Sequence, residues 1–209
     1  MTDRKTNPRK SFTGTLREAS QFYMAQGNVY DTLRRLARRL DAEKIPYALI
    51  GGMALAAHGF VRMTQDVDIL VTAKGLAAFR ERCVGRGYVP AFSGAERSFR
   101  DTETQVRIEI ITTGEYPGDG KPKPVVFPDP ASSSIEREGM RVVTLEKLIE
   151  LKLASGMTAT HRLRDLADVQ DVIAALDLPE DFAERLDASV RGKYRELRVT
   201  AQNRKQADE

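Results

Sequence analysis

Apolar residues recur at helical spacing from Asn28 to Glu43, where Val29, Leu33, Leu36 and Leu40 form one buried stripe. Asn28 is suited to cap that helix, and Pro46 stops it before the next element. Tyr47 to Ile50 then reads as a strand, Gly51-Gly52 as a turn and Met53 to His58 as a short alanine-rich helix. A loop holding Arg62 and Thr64 leads to a second strand, Asp66 to Val71. Side chains alternate along a strand, so Val67, Ile69 and Val71 share one face while Asp66 and Asp68 share the other.

Downstream, Ala73 to Val84 has helical periodicity and ends at the Gly85 and Gly87 turn. Three strand-like pieces follow, Tyr88 to Phe92, Arg97 to Asp101 and Gln105 to Ile111, spaced as an antiparallel meander extending the sheet. In the last piece Val106, Ile108 and Ile110 take one face and Glu109 the other. Thr112 to Ser134, rich in Gly, Pro, Thr and Ser, is expected to be a long surface loop, either a cover for a ligand or a variable decoration. After a strand at Arg141 to Val143, Thr144 caps a helix expected to end at Gly156.

On that helix Lys152 falls in a stripe with Leu145, Leu148 and Ile149. A lone ammonium among apolar groups is costly to bury, so it must reach water or meet an anion, either a triphosphate or nearby acids. The next helix, Thr160 to Ala175, places Asp165 and Asp168 on one face at i, i+3, with Leu166, Val169 and Ile173 for packing. An inward aspartate there could hold Lys152 or Arg164, orient a metal-bound water, or contact a base or ribose. A last helix is expected from Glu180 to about Leu197, followed by a polar tail.

With 209 residues the chain suits one compact domain with a helical appendage. The expected divisions are a flexible basic N-terminal segment over 1–27, a core over 28–143, a helical part over 144–200 and a polar tail over 201–209. No apolar run is long enough for a bilayer and the first residues lack a signal core, which points to a cytoplasmic protein with no membrane partner. One cysteine, Cys83, excludes an internal disulfide; with only His58 and His161 beside it, a zinc cluster is excluded too. Net charge is only +3, yet Arg34, Arg35, Arg38 and Arg39 crowd one helix. Such a cluster fits either a polyanionic partner or a solvated face.

Asp66 and Asp68 give the sharpest chemistry. Two carboxylates converging on one point repel unless a proton or cation relieves them, and hard cations such as Mg2+ or Mn2+ prefer oxygen ligands. The Gly51-Gly52 turn entering a helix lets backbone N–H groups approach a phosphate. Phosphate on one side and a divalent metal on the other suggest a nucleoside triphosphate. Each fragment alone is commonly structural; it is the spacing that joins them.

Gly51-Gly52 followed by HGFVRMTQDVDILV resembles the signature of the DNA polymerase β-like nucleotidyltransferase superfamily. The later Lys152-Leu153 and Arg164-Asp165-Leu166-Ala167-Asp168 resemble its AbiEii-type toxin group. The resemblance implies an α+β fold, a mixed sheet with flanking helices and added C-terminal helices. It implies metal-dependent transfer of a nucleoside monophosphate from an NTP to an acceptor hydroxyl, on RNA such as a tRNA 3′ end, by a toxin of a toxin–antitoxin or phage-defence pair with a cognate antitoxin. It assigns Asp66, Asp68 and Glu109 to metal and Asp66, Asp68, Lys152 and Asp165 to catalysis. Gly51, Gly52, Arg62, Thr64, Lys152 and Asp168 go to the nucleotide. The chain departs from the pattern twice, with Gly52 where many members have Ser and Glu109 where Asp is usual. Two other readings are a small-molecule nucleotidyltransferase of the aminoglycoside-modifying kind and an inactive nucleotide-binding or interaction module.

Overall fold

The computed structural model describes residues 27–207, so residues 1–26 of the expected N-terminal segment lie outside the described residues. Helix α1 (Gly27–Ala42) buries Val29, Leu33, Leu36 and Leu40 as the periodicity requires. It starts one residue before Asn28, which sits inside the first turn. Its end closes through left-handed Lys44, after which the Ile45 N–H donates to the Leu40 carbonyl at 2.9 Å.

The strands are β1 (Tyr47–Leu49), β2 (Asp66–Val71), β3 (Tyr88–Pro90), β4 (Ser98–Asp101), β5 (Arg107–Thr112), β6 (Ser134–Arg137) and β7 (Met140–Val143). They form one seven-stranded sheet in the order β3-β4-β5-β2-β1-β7-β6. The expected meander β3-β4-β5 is antiparallel and joins the rest because β5 runs parallel to β2. Strand β1 is antiparallel to β2 and parallel to β7. The sheet is therefore mixed.

Register assigns the two faces. Ile69 pairs with Leu49 and Ile110, and Phe99 with Ile108, so these side chains and Val67 share one apolar face. Helix α3 (Ala73–Arg82), capped by Thr72, packs there: the Phe79 ring meets Phe99 edge-on at 5.0 Å and Tyr88 at 5.4 Å. Helix α1 packs on the same side. The other face, bearing Asp66, Asp68 and Glu109, is covered by α2 (Gly51–Ala57), α4 (Leu145–Thr158) and α5 (Leu163–Leu176). Helix α6 (Ala188–Ala207) packs on α4 and α5, after a 3-10 turn over Glu180–Arg185. The architecture is α+β, a mixed sheet with flanking and C-terminal helices, as expected.

Four local expectations change. Gly51 and Gly52 are not a separate turn but the first residues of α2. Strand β6 was not anticipated; left-handed Glu138 (φ 50) and Gly139 (φ 77) make a tight turn that folds Ser134–Arg137 back on β7. Gly156 does not end α4, which continues to Thr158. A β-carbon there would lie 2.6 Å from Leu166 Cγ, so the glycine lets α5 approach closely instead. Finally, α6 runs to Ala207 rather than Leu197, because Ala201 extends the buried row of Val190, Tyr194 and Leu197 by one turn. Among the described residues no helix is long and apolar enough to cross a membrane.

Candidate active site

The acid face opens into a cavity of about 930 Å³. Its floor comes from β2 and β5. Asp68 pairs in register with Glu109 and Asp66 with Arg107, so strand alternation alone delivers all three acids to one surface. Of the expected site residues, Gly51, Arg62, Thr64, Asp66, Asp68, Glu109, Lys152 and Asp165 line the cavity; Gly52 and Asp168 lie behind its wall.

Asp68 is the most confined of the acids. Gly51 has a left-handed φ of 65° and lies so close that a β-carbon on it would sit 1.9 Å from Asp68 Oδ2. Only glycine satisfies both demands. Burial, and then the neighbouring Asp66, push the Asp68 carboxyl up to about 7, while Lys152 and Arg62 pull it back. Asp66 accepts a hydrogen bond from the Thr64 hydroxyl at 3.0 Å. That hydroxyl fills space beside Gly52, where an added β-carbon would be 2.9 Å away. The serine position of the family pattern is thus crowded by Thr64 here.

The third acid, Glu109, forms an ion pair with Arg107, two residues back on the same strand face. Accordingly, among the described residues no three acidic, imidazole or thiol groups converge closely enough to hold a metal ion. The remaining pair still suits a hard cation: Asp66 and Asp68 offer only oxygen, lie on one face and carry no ion pair among the described residues.

Lys152 meets acids, the second of the two partners considered for it. Its ammonium donates to Asp165 at 2.9 Å and Asp168 at 2.6 Å, with its side chain only 7% exposed. Ser155, one turn along α4, donates to the other oxygen of Asp165 at 2.7 Å. Asp168 also holds Arg62 Nε at 2.9 Å, tying the loop before β2 to helix α5. Two cations and two anions therefore balance on the helical side.

Sequence reasoning missed Arg107, Ser155 and the wall formed by Glu115, Tyr116, Pro117 and Phe127. Arg107 and Ser155 were legible, at i−2 from a strand acid and i+3 from a helical lysine. The wall was not, since nothing in a Gly/Pro-rich loop shows which way it folds.

The arginine cluster on α1 does not lead to this cavity. Arg35 binds Asp101 at 2.9 Å, and Asp101 lies two residues beyond Phe99, hence on the apolar face opposite the acids. Arg39 pairs with Glu43. Arg35, Arg38 and Arg39 line a separate depression with Tyr88. The residues that put positive charge at the cavity without an acidic partner among the described residues are Arg162 and Arg164.

No family model and no curated protein matches the chain. Solved structures do resemble it. JHP933 from Helicobacter pylori shares 20% identity over 89% of this chain and 96% of its own, with a TM-score of 0.47. An antigenic nucleotidyltransferase-like protein from Paracoccidioides brasiliensis shares 17% over 70% and 76%, at 0.45. The antibiotic-resistance factor ANT(2'')-Ia shares 14% over 84% and 91%, at 0.42. All three lie at low identity with TM-scores under one half, so the chemistry of the site rests on its own residues.

Proposed function

We propose that this chain is a polymerase-β-like nucleotidyltransferase, moving a nucleoside monophosphate from an NTP to an acceptor hydroxyl. One observation carries this reading: Asp66 and Asp68 have no ion-pair partner among the described residues and lie on a cavity floor whose other charges are largely matched, with Gly51 making room for the Asp68 carboxylate. Asp66 and Asp68 would hold Mg2+ or Mn2+, joined by Glu109 once its side chain leaves Arg107. Such an ion would lower the pKa of the attacking hydroxyl and offset charge on the triphosphate.

The chain's own groups do the rest. Lys152 spends two of its three N–H donors on Asp165 and Asp168 and keeps one for a phosphate oxygen. Arg62, fixed by Asp168, and the backbone at Gly51 supply further positive potential, which dominates phosphoryl transfer. Thr64 steers the Asp66 carboxylate.

We further propose RNA as the acceptor, with the protein acting as a toxin beside an antitoxin. The family resemblance supports the toxin role. Arg162 and Arg164 favour a polyanion at the cavity over a cationic aminoglycoside, which would need an acidic rim. The test incubates the protein with α-labelled NTPs, Mg2+ and total cellular RNA. Label should appear on RNA, vanish with chelator, and be lower in Arg162→Gln/Arg164→Gln, with a shallower dependence on salt than wild type because fewer phosphate contacts release counterions. Label on a small amine-rich acceptor but not on RNA would move the assignment to the aminoglycoside class.

A further inference from the structure

The cavity has two unlike halves. Its sheet and helix side carries the acids and their cations, whereas the segment after β5 contributes apolar and aromatic surface: Tyr116, Pro117 and Phe127. That segment is not a loose decoration. The Gly114 N–H donates to the Phe127 carbonyl at 2.8 Å and the Phe127 N–H to Glu115 at 2.9 Å. Lys123 donates to Pro117 and reaches Thr158 on α4 at 3.0 Å. Gly118 lies so close to α4 that a β-carbon would sit 2.7 Å from the Ser155 carbonyl. Glu115 is held by Arg97 and Thr112. The strap is therefore fixed in place before any ligand arrives.

Tyr116 stands apart within it. Phe127 packs against the hydrophobic core, but Tyr116 does not, and it makes no hydrogen bond or ring contact among the described residues. A half-buried ring held on a rigid strap, facing a cavity and touching no core, has its apolar face available to a ligand. The matching ligand is ionic at one end and flat and apolar at the other. We propose that Tyr116, on the cavity wall it shares with Phe127, is the platform on which a nucleobase stacks, the base belonging either to the donor NTP or to the terminal nucleotide of the acceptor. This rests on the nucleotidyltransferase reading above. Stacking tolerates any base, because every base has a π-face.

Calorimetric titration with Mg2+ and non-hydrolysable analogues of the four NTPs tests this, with tripolyphosphate as the ligand lacking a base. Tyr116→Ala should weaken the nucleotides about tenfold, within the range for one lost stack, leave tripolyphosphate unchanged and retain the wild-type melting temperature. Tyr116→Phe should restore binding. If the donor is unaffected, a short RNA that loses affinity in Tyr116→Ala, while its 3′-abasic counterpart does not, assigns the platform to the acceptor. Equal loss for tripolyphosphate, or no loss for either nucleotide or RNA, overturns the proposal while leaving nucleotidyl transfer standing. A wild-type protein that binds no nucleotide and labels no acceptor overturns both.

Discussion

Two pairs of aspartates, one on the floor of the cavity and one in and behind its wall, live under opposite electrostatics. Asp165 and Asp168, on α5, are bound by Lys152, Ser155 and Arg62. Among the described residues Asp66 and Asp68, on β2, receive a single side-chain hydroxyl, that of Thr64, between them and form no ion pair. A helix can carry its acids to meet cations on a neighbouring helix, and the pair becomes a brace. A strand in mid-sheet has its acids fixed by the pleat, so the repulsion between them stays until something from outside relieves it. The comparison separates carboxylates that hold the site together from carboxylates left open to a ligand.

The largest expected effects break the two pairs in different ways. Asp66→Asn or Asp68→Asn should lower turnover by roughly a hundredfold to a thousandfold, the scale of losing one preorganised electrostatic group, while the fold stays intact or gains stability. Lys152→Ala should instead cost about 3–5 kcal/mol of stability, because it leaves buried carboxylates without their cation. Denaturant melts beside single-turnover kinetics check both. Equal melting curves for Lys152→Ala and wild type would dissolve the distinction.

The pH dependence is the next effect in size. In the metal-free protein the folded-state Asp68 carboxyl sits at about 7, above its ordinary 3.8. Folded protein then holds a proton that the unfolded chain has released. The resulting stability is complete below about 4 and is lost as pH rises through about 7. Melting temperatures in chelator should fall over that window for wild type, and less so for Asp68→Asn. Saturating Mg2+ should reverse the loss at neutral pH.

The smallest effect concerns Thr64. Thr64→Val removes one hydrogen bond to Asp66, worth about 1 kcal/mol, and should raise KM or lower kcat only several-fold. Steady-state kinetics over a range of Mg2+ concentrations would show whether the loss recovers as metal is raised.

Much of the acid pair's setting was legible because strand alternation is a local rule: reading Val67, Ile69 and Val71 as one face places Asp66 and Asp68 on the other. Glu109 followed from the same rule applied to β5. The ion pair that occupies it required knowing only that Arg107 stands two residues earlier. Lys152 was legible as an ammonium in an apolar stripe, but its partners depend on how α5 crosses α4. That crossing is set by Gly156 against Leu166, a contact invisible until both helices are placed. The α1 arginines could not be placed relative to the acids for a related reason, since a sequence cluster does not say which face of a sheet its helix covers. The hairpin β6–β7 was hidden because Ser134 to Arg137 has weak alternation, and only Glu138-Gly139 marks its turn.

The ion pair between Asp168 and Arg62 spans more than a hundred positions of chain. It has a consequence for the order in which the protein is made. A ribosome that has released everything up to Val143 has delivered the whole sheet, including Asp66, Asp68 and Glu109. It has not yet delivered the amine of Lys152 or the carboxylates that position it and Arg62. Until α5 emerges the nascent chain has a floor without a roof, so the activity should switch on late in synthesis and a message cut short before that point would yield an inert product.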